Sequence, residues 1–199
     1  MLRSYTPADG LTLANASCGT VAIFLCLDYI DDRRSVELWA AFVLPVAALA
    51  FDVLDGYVAR LHPVRQSLIG GDLDSLADIV SFGVAPAVLG YTLGMRGFWD
   101  VVFLTWFVCC GISRLARFNA TVGVLTNPTT GKVRHFEGTP IPTSVIVVMV
   151  MALLYRLELT GSDLWLGEWR VLGRAFHPLS ALYLLSGSLM ISTIRIPKP

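Results

Sequence analysis

Five aspartates lie close together in the first half of this 199-residue chain, inside or beside strongly apolar segments: Asp52, Asp55, Asp72, Asp74 and Asp78. An aspartate at the centre of a membrane helix costs roughly 2.5–3.5 kcal/mol on insertion scales. Several such side chains therefore need a compensating partner. A hard divalent cation, Mg²⁺ or Mn²⁺, prefers carboxylate oxygens and would provide one.

The spacing of four of these aspartates predicts that they converge. Asp52 and Asp55 are three residues apart, and Asp74 and Asp78 are four apart, so each pair occupies one face of a helix. The connection between the two helices is short and contains Pro63, which favours antiparallel neighbours with both pairs at one membrane depth. The sequence thus predicts a four-carboxylate site for two ions.

Structural ion pairs with Arg60, Arg65 or Arg114 are an alternative explanation for these acids. Few basic residues lie near the four carboxylates, and this favours the metal site. Asp72 lies about 200° around the helix from Asp74 and is expected to be hydrated at the membrane interface.

The composition places the aspartates in a membrane protein. Apolar residues make up 55% of the chain, charged residues 15%, and the mean hydropathy is +0.65, whereas soluble domains carry about 25% charged residues. The formal net charge is zero, so no nucleic-acid partner is expected. Six stretches can cross a bilayer, and they predict an all-α integral membrane protein with six transmembrane helices. These stretches are Leu11–Ile30, Val36–Arg60, Leu68–Leu93, Phe98–Asn119, Pro140–Tyr155 and His177–Ile194.

No repeat or linker divides the chain, so residues 1–199 are expected to form a single membrane-embedded catalytic domain. With both termini on the cytoplasmic side, the loops there hold eight Lys and Arg residues against six on the other side. This distribution favours cytoplasmic termini. The four cysteines lack metal-site spacing and are expected to be buried free thiols.

The string Asp52-Val-Leu-Asp55-Gly56-Tyr-Val-Ala59-Arg60, followed by Gly70, Asp74 and Asp78, resembles the signature of the CDP-alcohol phosphotransferases, D-x2-D-G-x2-A-R-x8-G-x3-D-x3-D. All eight fixed positions are present. Nine residues, rather than eight, separate Arg60 from Gly70, and the extra residue falls in the connection between helices.

This resemblance implies the family's six-helix fold, its homodimeric state and its displacement of CMP from a CDP-linked lipid by an alcohol. It implies that Asp52, Asp55 and Asp74 are metal ligands, and that Asp78 is both a ligand and the general base. The cytidine diphosphate site would include Asp55, and its other residues would be Gly56, Ala59, Arg60 and Gly70. Asn15, at the start of the first helix, is a candidate donor to a phosphate or the ribose, or is simply a polar residue at a helix end.

Three further segments resemble the members of that family that use L-serine as the alcohol and CDP-diacylglycerol as the lipid. They are Asp74–Pro86, Ser113–Asn119 and Phe136–Thr143. Arg114 and Arg117 are three residues apart on one helix face, where an arginine could hold the serine carboxylate, and Phe118 and Glu137 are the other candidates for this site, with Glu137 facing the ammonium group. The alternatives are that both arginines extend to the lipid headgroups and that Glu137 is solvated in a loop. A fungal protein of this type would reside in the endoplasmic reticulum membrane and a bacterial one in the plasma membrane, with the active site facing the cytoplasm.

Two other functions are compatible with these residues. The first is a sister enzyme that uses inositol or glycerol phosphate, against which the segments Ser113–Asn119 and Phe136–Thr143 argue. The second is a divalent-cation transporter with the aspartates as its intramembrane site. The absence of internal repeat symmetry argues against a transporter.

Overall fold

The computed structural model describes residues 6–61, 69–125, 136–161, 164–193 and 195–196. Six apolar helices follow one another in this part of the chain, as predicted. They are α1 (Pro7–Asp32), α2 (Ser35–Leu61), α3 (Gly70–Thr92), α4 (Phe98–Leu125), α5 (Ser144–Arg156) and α6 (Ala181–Ile191). Short 3₁₀ turns at Ile141–Thr143 and Pro178–Ser180 lead into α5 and α6.

The length and the surface of these helices are those of a multi-pass membrane protein. Helices α1 to α3 and residues Phe98–Ala120 of α4 are long and apolar enough to cross a bilayer, while α5 and α6 are shorter. Large apolar side chains such as Phe24, Val53 and Met149 are exposed on the outside of the bundle. In water this exposure would be unfavourable, but in a bilayer these side chains face lipid.

Local chemistry fixes the start of α1, which carries part of the site. Thr6 and Asp9 form a reciprocal capping box, and Pro7 occupies the first turn. These interactions satisfy backbone N–H groups that a helix start leaves without partners. Helix α1 then packs along α2 over much of its length.

Helix α3 is not a regular α-helix. Residues Ile79–Val84 form a π-helical segment that begins directly after Asp78. Here α1 and α3 approach closely, because a Cβ atom added to Gly19 would lie 2.6 Å from the Cα of Ser81. Only glycine fits this contact, which holds the polar residues of α1 against α3.

Among the C-terminal ends of the helices, those of α4 and α6 differ most from the sequence prediction. Helix α4 continues to Leu125, beyond the predicted end at Asn119. Helix α6 ends at Ile191 rather than Ile194, because the chain becomes extended at Ser192 and then forms strand β4 (Arg195–Ile196). This strand pairs with β1 (Phe136–Glu137), an interaction that local sequence does not reveal.

A second antiparallel pair lies between α5 and α6, where strands β2 (Trp169–Val171) and β3 (Arg174–Phe176) form a hairpin. The all-α prediction did not include it. The hairpin packs on the first turns of α4, at the end of the bundle where α4 begins. We call this end the hairpin end, and the opposite end, where α2 finishes and α3 begins, the carboxylate end.

Candidate metal centre and adjacent cleft

Three of the four predicted carboxylates meet at the carboxylate end. Asp52 near the end of α2 and Asp74 and Asp78 on α3 each offer an oxygen atom, and these atoms all lie within 4.8 Å of one another. The antiparallel arrangement of α2 and α3 produces this convergence, as the spacing predicted. Carboxylate oxygens at such separations can share a divalent cation.

The fourth predicted ligand, Asp55, lies beside this group but not within it. Its Oδ2 accepts a hydrogen bond of 2.7 Å from the hydroxyl of Thr12 on α1. The Asp55 side chain is nearly buried. Its role as a metal ligand stays a prediction.

The hydrogen bonding of the three converging carboxylates is incomplete among the described residues. Asp74 Oδ1 is buried and has no hydrogen-bond partner there. None of the ion pairs among the described residues involves Asp52, Asp74 or Asp78. Three carboxylates that repel one another, one of them with a buried oxygen that lacks a partner, form a donor set that suits a hard cation.

The structural ion pairs considered as an alternative do not form within the described part of the chain. Arg60 donates from Nε to the carbonyl oxygen of Gly56 in its own helix, at 2.8 Å. The Nε of Arg114 is buried without a partner among the described residues. Arg65 lies outside the described residues.

Asn15 on α1 supports the Asp78 side chain. Its amide nitrogen donates to Asp78 Oδ1 at 3.2 Å, and Asn15 is fully buried. The hydroxyl of Ser81 in turn donates to the Asn15 backbone oxygen at 2.8 Å. Two helices thus hold Asp78 in position, and one of its carboxylate oxygens is left for other chemistry.

A cleft of about 430 Å³ opens beside the carboxylates, between the start of α3, the second half of α4 and the approach to α5. Arg114 and Asp78 both line it, as do Phe118 and Pro142. Ser75 and Asn119 lie on the same wall and form a mutual hydrogen bond, with the Asn119 amide nitrogen 3.0 Å from the Ser75 hydroxyl. The cleft therefore joins a metal-binding set to an arginine and a polar wall.

The sequence model of one protein family, the CDP-alcohol phosphatidyltransferases, matches residues 5–184. This match covers nearly all of the chain, including the carboxylates and the cleft. The chain belongs to the CDP-alcohol phosphatidyltransferase family.

Curated members of this family are similar over most of their own length. The CDP-diacylglycerol–serine O-phosphatidyltransferase of Saccharomyces cerevisiae is 41% identical, and the alignment covers all of this chain and 73% of the yeast protein. The archaetidylserine synthase of Methanothermobacter thermautotrophicus is 33% identical over 96% of this chain and 69% of its own length. The Helicobacter pylori CDP-diacylglycerol–serine O-phosphatidyltransferase is 37% identical, and the alignment covers 88% of this chain and 68% of the Helicobacter protein. No solved structure matches this chain.

The remaining predicted residues of this phosphatidyltransferase are distributed around the carboxylates. Gly56, Ala59 and Arg60 follow Asp55 on the last turns of α2, and Gly70 is the first residue of α3. These four positions therefore border the metal-binding set on two helices. Their contacts with a nucleotide stay predictions.

The predicted serine-site residues separate into two groups. Arg114 and Phe118 line the cleft, and Arg117 lies exposed on the same stretch of α4. Glu137 belongs to strand β1 and pairs with Arg195 of β4. Its side chain lies outside the described part of the structure.

Sequence reasoning did not identify Thr12, Ser75, Ser81 or Asn119 as part of the site. Thr12 lies three residues before Asn15, and this helical spacing places both on one face of α1. That spacing could have revealed Thr12. Ser75 and Asn119 are distant in sequence, and only the packing of α3 on α4 brings them together.

Proposed function

We propose that this chain transfers the phosphatidyl group of CDP-diacylglycerol to the hydroxyl of L-serine, forming phosphatidylserine and releasing CMP. The observation that carries the proposal is the convergence of Asp52, Asp74 and Asp78 beside a cleft that contains Arg114. The proposed substrates, CDP-diacylglycerol and L-serine, are those in the names of its yeast and Helicobacter relatives. The family supplies the type of reaction.

The carboxylates would hold Mg²⁺ or Mn²⁺, with Asp55 completing a set for two ions. A bound divalent cation would polarise the diphosphate and neutralise the charge on departing CMP. The buried, unpartnered Asp74 oxygen fits this function, because a cation would satisfy it.

The CDP part of the lipid would bind between α1, α2 and α3. Gly56, Ala59 and Gly70 present little side-chain volume, so a bulky group can approach the backbone there. The Arg60 guanidinium would contact phosphate oxygens. The Asn15 amide nitrogen would keep its hydrogen bond to Asp78. The Asn15 Oδ1 atom, which is buried without a partner among the described residues, would accept a hydrogen bond from the substrate or from a water molecule bound to it.

Asp78 would act as the general base. Its Oδ1 accepts from Asn15, which leaves Oδ2 to accept the proton of the serine hydroxyl. The serine oxygen then forms a bond to the β-phosphorus while the bond between that phosphorus and the CMP oxygen breaks. A positioned base of this kind contributes about 10²–10⁴-fold to the rate.

Serine would occupy the cleft. The Arg114 guanidinium would bind its carboxylate, with Arg117 and Phe118 on the same helix completing the site, and Glu137 would meet its ammonium group. Asn119 and Ser75 add hydrogen-bonding groups on the cleft wall. Arg114→Lys is expected to raise the KM for serine about tenfold, because lysine loses the bidentate geometry. The KM for CDP-diacylglycerol should change little.

We also propose that residues 1–199 form a single catalytic domain, that the protein is a homodimer and that its active site faces the cytoplasm. The membrane would be the endoplasmic reticulum in a fungus and the plasma membrane in a bacterium. Crosslinking in lipid nanodiscs tests the dimer. Protease protection of tags at each terminus tests the orientation.

CMP release from CDP-diacylglycerol by purified protein in detergent with Mn²⁺, with and without L-serine, tests the reaction. The expected result is CMP release that requires serine and that is lost with a chelator and in Asp78→Asn. Asp31→Asn is the matched control, because Asp31 is an exposed acid at the far end of α1.

The same assay distinguishes the alternatives. CMP release that requires inositol or glycerol phosphate instead would retain the family chemistry and overturn the serine assignment. No CMP with any alcohol, together with Mn²⁺ uptake into proteoliposomes, would favour the transporter.

A further inference from the structure

The hairpin segment, Trp165–Phe176, presents an unusual apolar surface. Large apolar side chains are exposed along it, among them Trp169 at 59% and Leu172 at 86%. Trp165 and Leu166 are also about half exposed. The segment lies at the hairpin end of the bundle, far along α4 from the cleft, so the proposed reaction does not account for it.

Two leucines of the hairpin segment occupy turn positions that leucine disfavours. Leu172 and Gly173 connect the strands, and both have positive φ values of 53° and 75°. Such two-residue turns favour asparagine or glycine. Leu166 has a φ of 73° in the turn closed by the bond from Gly167 N–H to the Leu164 oxygen. Exposed leucines in two strained positions indicate that their apolar side chains serve a purpose outside the fold.

Contacts with α4 give the depth of the hairpin segment in the membrane. The Phe176 ring packs against Phe103, which lies five residues inside α4, and the Arg174 guanidinium lies 4.8 Å from the Phe98 ring centre at the helix start. Five residues of helix span about 7.5 Å. The strand therefore runs outward past the start of α4, and Leu172 at its tip lies two residues, about 6 Å of extended chain, beyond Arg174.

This depth corresponds to the lipid headgroup layer. Residues Phe98–Ala120 of α4 are long and apolar enough to cross a bilayer, and a span of this length places Phe98 near one edge of the hydrocarbon core. A bilayer adds about 5–7 Å of headgroup region outside each face of its hydrocarbon core. Tryptophan is enriched at this level in membrane proteins.

The hairpin segment continues the lipid-facing surface of α4. Phe98, Val101 and Val102 are exposed there, next to the hydrogen bond from Trp99 Nε1 to the Val171 oxygen. The segment also carries two arginines and one glutamate, so its net charge is positive. Positive charge beside exposed apolar side chains complements lipid phosphates above acyl chains.

We propose that the hairpin segment Trp165–Phe176 is an interfacial anchor. It places Leu172 and Trp169 in the headgroup layer of the leaflet opposite the carboxylate end, while Arg170 and Arg174 contact lipid phosphates. The anchor fixes the height of α4 and α6 in the bilayer. This inference does not depend on the proposed reaction.

Spin labels in nanodiscs of phosphatidylcholine and phosphatidylglycerol test the anchor. Leu172→Cys is labelled in a chain whose four native cysteines are replaced by alanine, and Asp31→Cys is the matched control at the same end of the bundle. We expect the Leu172 label to collide with a water-soluble nickel chelate at least fivefold less often than the Asp31 label. Its collisions with oxygen, which concentrates in lipid, should be more frequent.

Two results would overturn the proposal. Equal nickel accessibility at the two positions would place the hairpin tip in water. Strong spin–spin broadening between Leu172 labels, removed by dilution with unlabelled chain, would show that a second copy covers the hairpin segment instead of lipid.

A second measurement leaves the cysteines in place. Trp169 emission, obtained as the difference between the native chain and Trp169→Phe, should be quenched by brominated lipid more than by aqueous acrylamide. The reverse order of quenching would contradict the anchor even if the cysteine-free chain failed to fold.

Discussion

Two ends of the same bundle hold buried aspartates in opposite ways. At the hairpin end, fully buried Asp100 accepts hydrogen bonds from the backbone N–H groups of Gly97 and His177 and from the Ser180 hydroxyl. The His177 ring nitrogen also contacts it, at 2.5 Å. At the carboxylate end, Asp74 keeps a buried oxygen with no partner among the described residues.

In the proposed function, this difference separates a structural acid from the acids that would hold the cation. Asp100 joins the start of α4 to the start of α6, and its surroundings satisfy it completely. Asp52, Asp74 and Asp78 repel one another, and one Asp74 oxygen has no partner among the described residues, so a bound cation would stabilise the set. An incompletely satisfied buried acid is therefore a better indicator of a metal site than burial alone.

The largest effect is expected from Asp78→Asn, which tests the functional side of this contrast. CMP release should fall by about 10²–10⁴-fold, because the amide cannot accept the serine proton. The folded protein should be as stable as the native chain, since the substitution removes one of three mutually repelling charges. Thermal unfolding in detergent checks stability alongside the CMP assay. Native activity in this variant would refute the base assignment.

Asp100→Ala tests the structural side. Each buried donor that it leaves without a partner costs about 1–3 kcal/mol, so the apparent Tm in detergent should fall strongly. Activity per folded molecule should persist, because Asp100 lies at the end opposite the cleft. His177→Ala, which removes one contact, should lower the Tm less. A loss of activity without a loss of stability would contradict the distinction between the two ends.

Mn²⁺ should stabilise the chain through the carboxylate end alone. A ligand at about 100 times its Kd adds about 2.7 kcal/mol to the stability of the state that binds it. The Tm of the native chain and of Asp31→Asn should therefore rise with Mn²⁺, and that of Asp74→Asn should rise much less. The same rise in all three proteins would show that the ion binds elsewhere.

The smallest effect is expected from Leu172→Asn at the hairpin tip. The left-handed conformation costs leucine about 1 kcal/mol, and asparagine adopts it more readily. The Tm in detergent should therefore stay the same or rise slightly. In nanodiscs the gain should disappear, because the apolar side chain no longer reaches lipid. A clear loss of stability in detergent would show that Leu172 packs within the protein.

Sequence reasoning anticipated the six helices because apolar segments of membrane-spanning length leave few alternatives. It also anticipated the meeting of Asp52 with Asp74 and Asp78, since helical spacing and a short connection suffice to align two antiparallel neighbours. It placed Asp55 in the same metal set, whereas the structure directs one oxygen of Asp55 to Thr12. The contact between His177 and Asp100 could not be anticipated, because the two residues are distant in sequence.

The apolar segments alone indicate which acids must be compensated, because a charged side chain is costly there, and the helix period indicates on which faces these acids lie. The packing of distant segments determines which acids have protein partners and which would be available to a cation. The distinction depends on how closely α1 approaches α3, at Gly19 and Ser81, and on where the hairpin segment meets α4. These are contacts between distant segments, and their geometry depends on packing that no local pattern encodes.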